Sequence, residues 1–315
     1  MIGRRAFMTG ALAAPFVLSA PLRAEESPGR LAIAVLPGLG YAPLTLAKQG
    51  GWIEKAVPGL QVTWLQIASS SAIREGMLAG DIDAGAGSVA PFLIGRDRGF
   101  KVGLVSALTI MDLLLLTNDP EIHSLKDFNP GKKIAVPAPD TNQAFAVRFA
   151  AKQELDDAHA LDGSFLAMPH PDALQALLTN QIAGYMSSPP FQNQAVARGA
   201  RVLANSRDLF GPLTFSICFA TEAFARKSPA AVQALRDAIA KGITLLKSQP
   251  SEAAAILAAD TGSRVSAAEF GKLLADPDIQ FTDAPEGVSK LSIFMRSTGF
   301  LREPAGAIGS MMLKG

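Results

Sequence analysis

From residue 31 onward, short apolar runs alternate with longer segments whose apolar residues recur at helical spacing, and the junctions carry Gly, Pro, Ser or Asp. That alternation restricts the chain to the α/β class, in which strands lie side by side and helices cover the sheet. Runs of strand length fall at 31–36, 62–67, 84–88 and 102–107. A helix is predicted over 42–49, where Leu44, Leu46 and Ala47 supply the buried side. It stops at Gly50-Gly51, a pair suited to the left-handed turn that ends a helix. The next helix is predicted from near Ser71 to Gly80.

Residues 111–117, with four successive leucines, form a run buried on both faces, and this is the expected crossing to a second lobe. Ser124-Leu125-Lys126-Asp127 has N-capping spacing, and a second alternating series follows at 133–137, 164–168, 184–187 and 201–204. The run 213–220 is the expected return. Ser228-Pro229 then starts a helix predicted to reach about Lys247, and Ser266-Ala267-Ala268-Glu269 has the spacing of a capping box. The expected layout is an export signal at 1–24, lobe one beginning at 25–112, lobe two at 113–212, and a return to lobe one over 213–315. The C-terminal helices are expected on that first lobe, leaving two crossing segments as a hinge.

Size agrees with two lobes. The N-terminus orders Arg4 and Arg5, an apolar stretch at 11–20 and a small-residue exit at Ala24, as an export signal does. Gly3-Arg4-Arg5-Ala6-Phe7-Met8 is similar to a twin-arginine signal, with an ordinary secretory signal as the alternative. Cleavage after Ala24 leaves 291 of the 315 residues, more than one core comfortably fills. It also removes Arg4, Arg5 and Arg23, taking the formal charge from +1 to −2. A near-neutral chain lacks the concentrated basic surface that nucleic acid or an anionic membrane requires. The apolar stretch is too short to span a bilayer, and with no cysteine after it a lipid anchor is not expected. The one cysteine, Cys218, cannot form an internal disulfide.

The two series echo each other. Leu78-Ala79-Gly80-Asp81-Ile82-Asp83-Ala84-Gly85 leads to Ser88 and Ala90-Pro91-Phe92, while Leu178-Thr179-Asn180-Gln181-Ile182-Ala183-Gly184 leads to Ser187-Ser188 and Pro189-Pro190-Phe191. Each reads helix, tight turn, strand, serine, new helix. Generic likeness among αβ units accounts for this as well as duplication does. Either way, hydroxyls fall at strand C-terminal ends just before helix starts, where open α/β sheets bind ligands.

Taken in order, several segments give the chain a family likeness: Ala47-Lys48-Gln49-Gly50-Gly51-Trp52-Ile53, Leu78 through Gly85, Ser124-Leu125-Lys126-Asp127-Phe128 before Gly131-Lys132-Lys133-Ile134-Ala135-Val136, the run 173–181, and Ser187-Ser188-Pro189-Pro190-Phe191-Gln192. By them the chain resembles the substrate-binding proteins of nitrate, sulfonate and taurine importers, a family that includes riboflavin- and thiamine-precursor binders. The resemblance covers nearly the whole mature chain. It implies a two-lobed periplasmic binding protein fold (type II), a ligand cleft between the lobes, closure about the hinge, and delivery of a small molecule to an ABC-type permease by a soluble periplasmic monomer. Ser187-Ser188 departs from the acidic or aromatic residue that many relatives carry before the Pro-Phe pair, which leaves the ligand's identity open.

The resemblance also implies the cleft residues. Lobe one supplies Gly40, Tyr41, Ser69, Ser70, Ser71 and Ser88; lobe two supplies Thr141, Asn142, Gln143, Ser187, Ser188 and Phe191. No Lys or Arg lies in these loops, so an acidic group would be held by hydroxyls and helix-start amides. Ser71 and Thr141 are equally readable as helix caps, and Tyr41 as a packing residue with a wet hydroxyl. His170 falls among the lobe-two cleft loops but is expected as a loop or cap residue more than a ligand contact, and Asp140 and Asp172 as solvated or capping. A zwitterion and an aromatic molecule between Tyr41 and Phe191 both fit these loops.

No cofactor or metal is expected. His123, His159, His170 and Cys218 have no metal-ligand spacing, and there is no Gly-x-Ser-x-Gly elbow. Gly38-Leu39-Gly40 lacks the third glycine of a dinucleotide fingerprint, since Pro43 stands there. An importer receptor, not an enzyme, is therefore the expectation. A thiamine-pyrimidine-synthase-like enzyme and a periplasmic sensor remain as alternatives on the same fold.

Overall fold

The computed structural model describes residues 29–67, 69–260 and 265–313. The expected export signal at 1–24 lies outside the described residues. Among the described residues, eleven strands form two sheets. The first takes β1 (Arg30–Val35), β2 (Gln61–Gln66), β3 (Ala84–Ser88), β4 (Val102–Ile110), β10 (Thr214–Thr221) and β11 (Gln280–Phe281), in the order β11-β4-β10-β3-β1-β2. The second takes β5 (Leu114–Thr117), β6 (Ile134–Val136), β7 (Phe165–Ala167), β8 (Gly184–Met186) and β9 (Arg201–Asn205), in the order β7-β6-β8-β5-β9. β1, β2 and β3 run parallel, as do β6, β7 and β8; β10 is antiparallel to β3 and β4, and β5 to β8 and β9.

Burial explains why the central strands lack polar alternation. Leu31, Ala32, Ile33 and Ala34 of β1 are all buried, as is every residue of β3 and β4. Helices cover both faces of such strands, so both faces must be apolar or small. The edge strand β2 alternates instead. Helix Ala42–Gly50 ends on Gly51 in the left-handed region (φ 56), as the glycine pair predicts. Both capping boxes, Ser124 with Asp127 and Ser266 with Glu269, are formed.

The crossings lie side by side. β4 pairs with β10 in the first sheet and β5 with β9 in the second, so residues 111–113 and 206–213 pass between the sheets together. The outgoing strand divides earlier than its apolar run suggests: β4 continues to Ile110 and β5 begins only at Leu114. Asp112 interrupts the ladder because its carboxylate is taken by Arg207 Nε, 2.9 Å away. Leu113 N donates to Ser206 Oγ, and Ser206 N donates to Leu113 O, both at 2.9 Å.

Helix Pro229–Ser248 packs on Ala42–Gly50, as expected for a return to the first lobe. The last helix, Val288–Ser297, is not confined to it. Phe294 meets Phe149 at 4.8 Å between centroids, Phe300 meets Phe145 at 4.8 Å, and the Arg148 guanidinium lies 4.4 Å from the Phe300 ring. Phe145, Arg148 and Phe149 all belong to helix Asn142–Leu155 of the second lobe, so a third, aromatic contact joins the halves. The two-residue β11 has no signal in the sequence, being too short for any period.

Candidate functional site

The parallel strands β1, β2 and β3 of one sheet and β6, β7 and β8 of the other all point their C-terminal ends at the gap between the lobes. A helix begins at or shortly after nearly every one: Ala42–Gly50 beyond a short turn at Leu39–Tyr41, Ser70–Ala79 after Ser69, Val89–Asp97 after Ser88, Asn142–Leu155 after Thr141, and His170–Leu178 after Pro169. The first-turn amides of a helix lack intrahelical partners, so these starts gather donors in one place.

Between them lies a narrow cavity, closed down to little more than the space of one water. The first lobe contributes Leu36, Pro37, Gly38, Gly40, Tyr41, Ser70 and Ser88 to the wall. The second contributes Pro137, Thr141, Gln143, His170 and Ser188, and Phe215 of the return strand completes it. Of the twelve residues expected in the cleft, seven are therefore brought together here: Gly40, Tyr41, Ser70, Ser88, Thr141, Gln143 and Ser188. No Lys, Arg, Asp or Glu side chain lines the wall among the described residues.

Each wall residue has a structural reason for its place. Gly87 lets helix Ser70–Ala79 approach β3, because a Cβ there would stand 2.7 Å from Ser70 Oγ. Ser70 Oγ accepts from Ser88 N at 3.0 Å. Gly40 O accepts from both Thr109 Oγ1 (2.5 Å) and Ser216 Oγ (2.7 Å), which fixes the turn carrying Tyr41. The Tyr41 ring lies 6.2 Å from that of Phe215, and burial raises its hydroxyl's pKa, keeping it neutral. Thr141 Oγ1 donates to Ala138 O at 2.8 Å. Two wall atoms are buried without a hydrogen-bond partner: Ser88 Oγ from one lobe and Gln143 Oε1 from the other.

His170, expected among the lobe-two cleft loops but as a loop or cap residue more than a ligand contact, belongs to the wall. Nδ1 is 2.5 Å from the Tyr185 hydroxyl, and Nε2 is 3.3 Å from both Gln143 Nε2 and Ser188 Oγ. Burial pushes the imidazole down to about 4, so the ring is neutral at physiological pH. The sequence did hold a signal, since residue 170 follows a strand and opens a helix like the other wall positions. Phe215 carried none: it reaches the cavity only because β10 runs antiparallel beside β3.

The remaining five stand behind or beside the wall. Ser69 caps the helix, its oxygen accepting from Ala72 N at 3.2 Å, so the cap is Ser69 and not Ser71. Ser71 Oγ donates to Asp140 Oδ1 across the lobes at 2.6 Å, beside an Arg74–Asp140 ion pair at 3.1 Å. Asn142 is an interlobe tie: Oδ1 accepts from Ala90 N at 2.8 Å and Nδ2 donates to Phe215 O at 3.2 Å. Ser187 is fully buried, facing away because successive residues after a strand alternate sides and Ser188 takes the cavity side. Phe191 stacks on His170 at 5.4 Å and 15°, supporting the ring from outside the cavity.

Two α/β sheets joined by paired crossings, with a narrow cavity between them at the helix starts, have the periplasmic binding protein fold. The chain belongs to the NMT1-like family, whose model matches residues 24–259. An Escherichia coli (strain K12) relative, named provisionally as an aliphatic sulfonates-binding protein, is 24% identical over 243 residues, 76% of this chain and 74% of that one. The ligand binding component of an ABC-type import system from Staphylococcus aureus shares the fold with a TM-score of 0.72 at 14% identity, over 91% of this chain and 96% of that one. The periplasmic nitrate-binding protein of Synechocystis PCC 6803 does so with a TM-score of 0.74 at 14% identity, over 90% and 84%. The likeness carried by the sequence motifs is thus borne out, and among the described residues no helix is long and apolar enough to cross a membrane.

Proposed function

We propose that this chain is the exported substrate-binding component of an ABC importer, which captures a small molecule between its lobes and hands it unchanged to a membrane permease. The observation that carries the reading is the cavity: narrow, free of charged side chains on its wall among the described residues, set between two lobes at converging helix starts, with an unpartnered buried oxygen from each lobe. Such oxygens cost free energy unless something bonds to them, which favours ligand capture at this point. The cleft residues are Gly40, Tyr41, Ser70, Ser88, Thr141, Gln143, His170, Ser188 and Phe215. Sulfonates, which the Escherichia coli relative's name gives, and aromatic or heterocyclic nutrients are the ligand classes to screen first.

Export follows from the N-terminal pattern, and the family match begins at residue 24, where the expected signal ends. The mature protein is proposed as an unanchored periplasmic monomer. Calorimetry and thermal shift test the central claim: one ligand should bind per chain, raise Tm with its concentration, and be recovered intact. Consumption of the ligand would replace this reading with an enzyme. N-terminal sequencing of periplasmic protein should find Glu25 first, and replacing Arg4 and Arg5 by Lys should abolish export if the twin-arginine route is used.

A further inference from the structure

Hydrogen bonding among three side chains fixes which atoms the second lobe offers to a ligand. The amide nitrogen of Gln143, which only donates, faces Nε2 of His170 at 3.3 Å; with Nε2 accepting, the ring hydrogen lies on Nδ1, 2.5 Å from the Tyr185 hydroxyl, which has His170 O within 3.3 Å for its own hydrogen. Nε2 of His170 is then a bare acceptor, facing the amide nitrogen of Gln143 and the hydroxyl of Ser188, each at 3.3 Å. Gln143 points its carbonyl Oε1 away from His170, buried and unpartnered. Ser88 Oγ stands unpartnered on the opposite lobe.

A carbonyl oxygen accepts only, so a hydrogen from the ligand is what satisfies Gln143. An anion brings lone pairs instead. Helix-start amides offset part of a negative charge, but this cavity holds no cation to pair with it, and an unpaired buried charge is costly. A cationic ligand meets the same difficulty, because no carboxylate lines the wall among the described residues and Asp140, next in sequence to the wall residue Thr141, is already engaged by Ser71 and Arg74.

Resting on the capture reading above, we infer that the ligand is an uncharged small molecule that donates an N–H or O–H to Gln143 and bonds to Ser88, as a primary amide, a urea or a lactam does. Tyr41 and Phe215 give it an aromatic wall.

Pairs of matched shape make the test: urea against nitrate, ethanesulfonamide against ethanesulfonate, benzamide against benzoate, each titrated calorimetrically into the full chain at pH 7. In the pairs that bind, the neutral member should bind at least tenfold more tightly than its anion. Gln143→Leu, which keeps the bulk and removes the acceptor, should weaken that binding tenfold or more, with Ser88→Ala as a second variant should the first not fold. Tighter binding of the anions, or unchanged affinity in both variants, overturns the inference while leaving capture in place. Dialysis of the chain against a small-molecule extract of cells, read by mass spectrometry, decides the case in which no pair binds. Enrichment of a neutral N–H or O–H donor supports the inference, and enrichment of an anion overturns it. Enrichment of nothing overturns the capture reading as well.

Discussion

Asp140 of the second lobe holds its carboxylate 3.1 Å from the Arg74 guanidinium of the first, and the Ser71 hydroxyl donates to the same carboxylate at 2.6 Å. In the proposed capture by hinge closure, this pair would latch the closed form. Both side chains are about one-fifth exposed, so solvent screens the attraction and its worth is about 1 kcal/mol or less. Arg74→Ala should raise the open fraction several-fold without unfolding the protein. Spin labels at Leu78→Cys and Val202→Cys, exposed positions on opposite lobes, would read this as a longer interlobe distance. Cys218 does not compete for label, being buried with its thiol pushed up to about 12.

Asn142 is a stronger tie than the latch because both its bonds are buried. Asn142→Ala strands the Ala90 amide and the Phe215 carbonyl in the closed form, a penalty of about 1–3 kcal/mol. Hydrogen exchange at Ala90 should accelerate by roughly ten- to a hundredfold, which is the same energy expressed as a rate. An unchanged rate would mean that the tie does not hold the lobes.

At the hinge, Arg207 binds Asp112 through Nε at 2.9 Å and approaches Asp278 at 3.1 Å. Asp112 is only 11% exposed against 58% for Asp278, so the first pair is the less screened. Asp112→Ala should cost about 1–2 kcal/mol, a fall in Tm of roughly 2–6 °C, while Asp278→Ala should change Tm little. Differential scanning calorimetry compares them directly.

His170 gives stability a pH dependence whose sign follows from its burial. The ring titrates at about 4 when folded against 6.5 in an exposed state. Between those values the unfolded chain binds a proton that the folded ring refuses. Stability is therefore complete above about pH 6.5 and falls as pH drops toward 4, by on the order of 3 kcal/mol. His170→Gln should flatten that part of the Tm profile, leaving only the slope due to carboxylates.

The strand-and-helix rhythm was legible because its signals are local. β3 falls at 84–88 as the sequence indicates, helix Pro229–Ser248 begins at its proline, and both capping boxes form, since each depends on residues within a few positions of one another. Seven wall residues were legible through the family likeness, and Ser88 and Ser188 among them also because a hydroxyl between a strand and a helix start is placed at the sheet's C-terminal edge by topology. Asn142 shows the limit of that logic. It sits at such a position, yet its side chain turns to Ala90 and Phe215 because the opposite lobe offers complementary groups there.

The sequence by itself determined the class of fold, the number of lobes and the edge at which a ligand site could form, because period, capping and turn chemistry act over one or two elements. Tertiary structure alone decided which side chains face the cavity and which hold the lobes together. Phe215 enters the wall from a strand 127 residues after Ser88, Gln143 faces a histidine 27 residues away, and Asp140 is claimed by a serine and an arginine of the other lobe. Those contacts depend on how two separately ordered sheets meet, which no local pattern encodes.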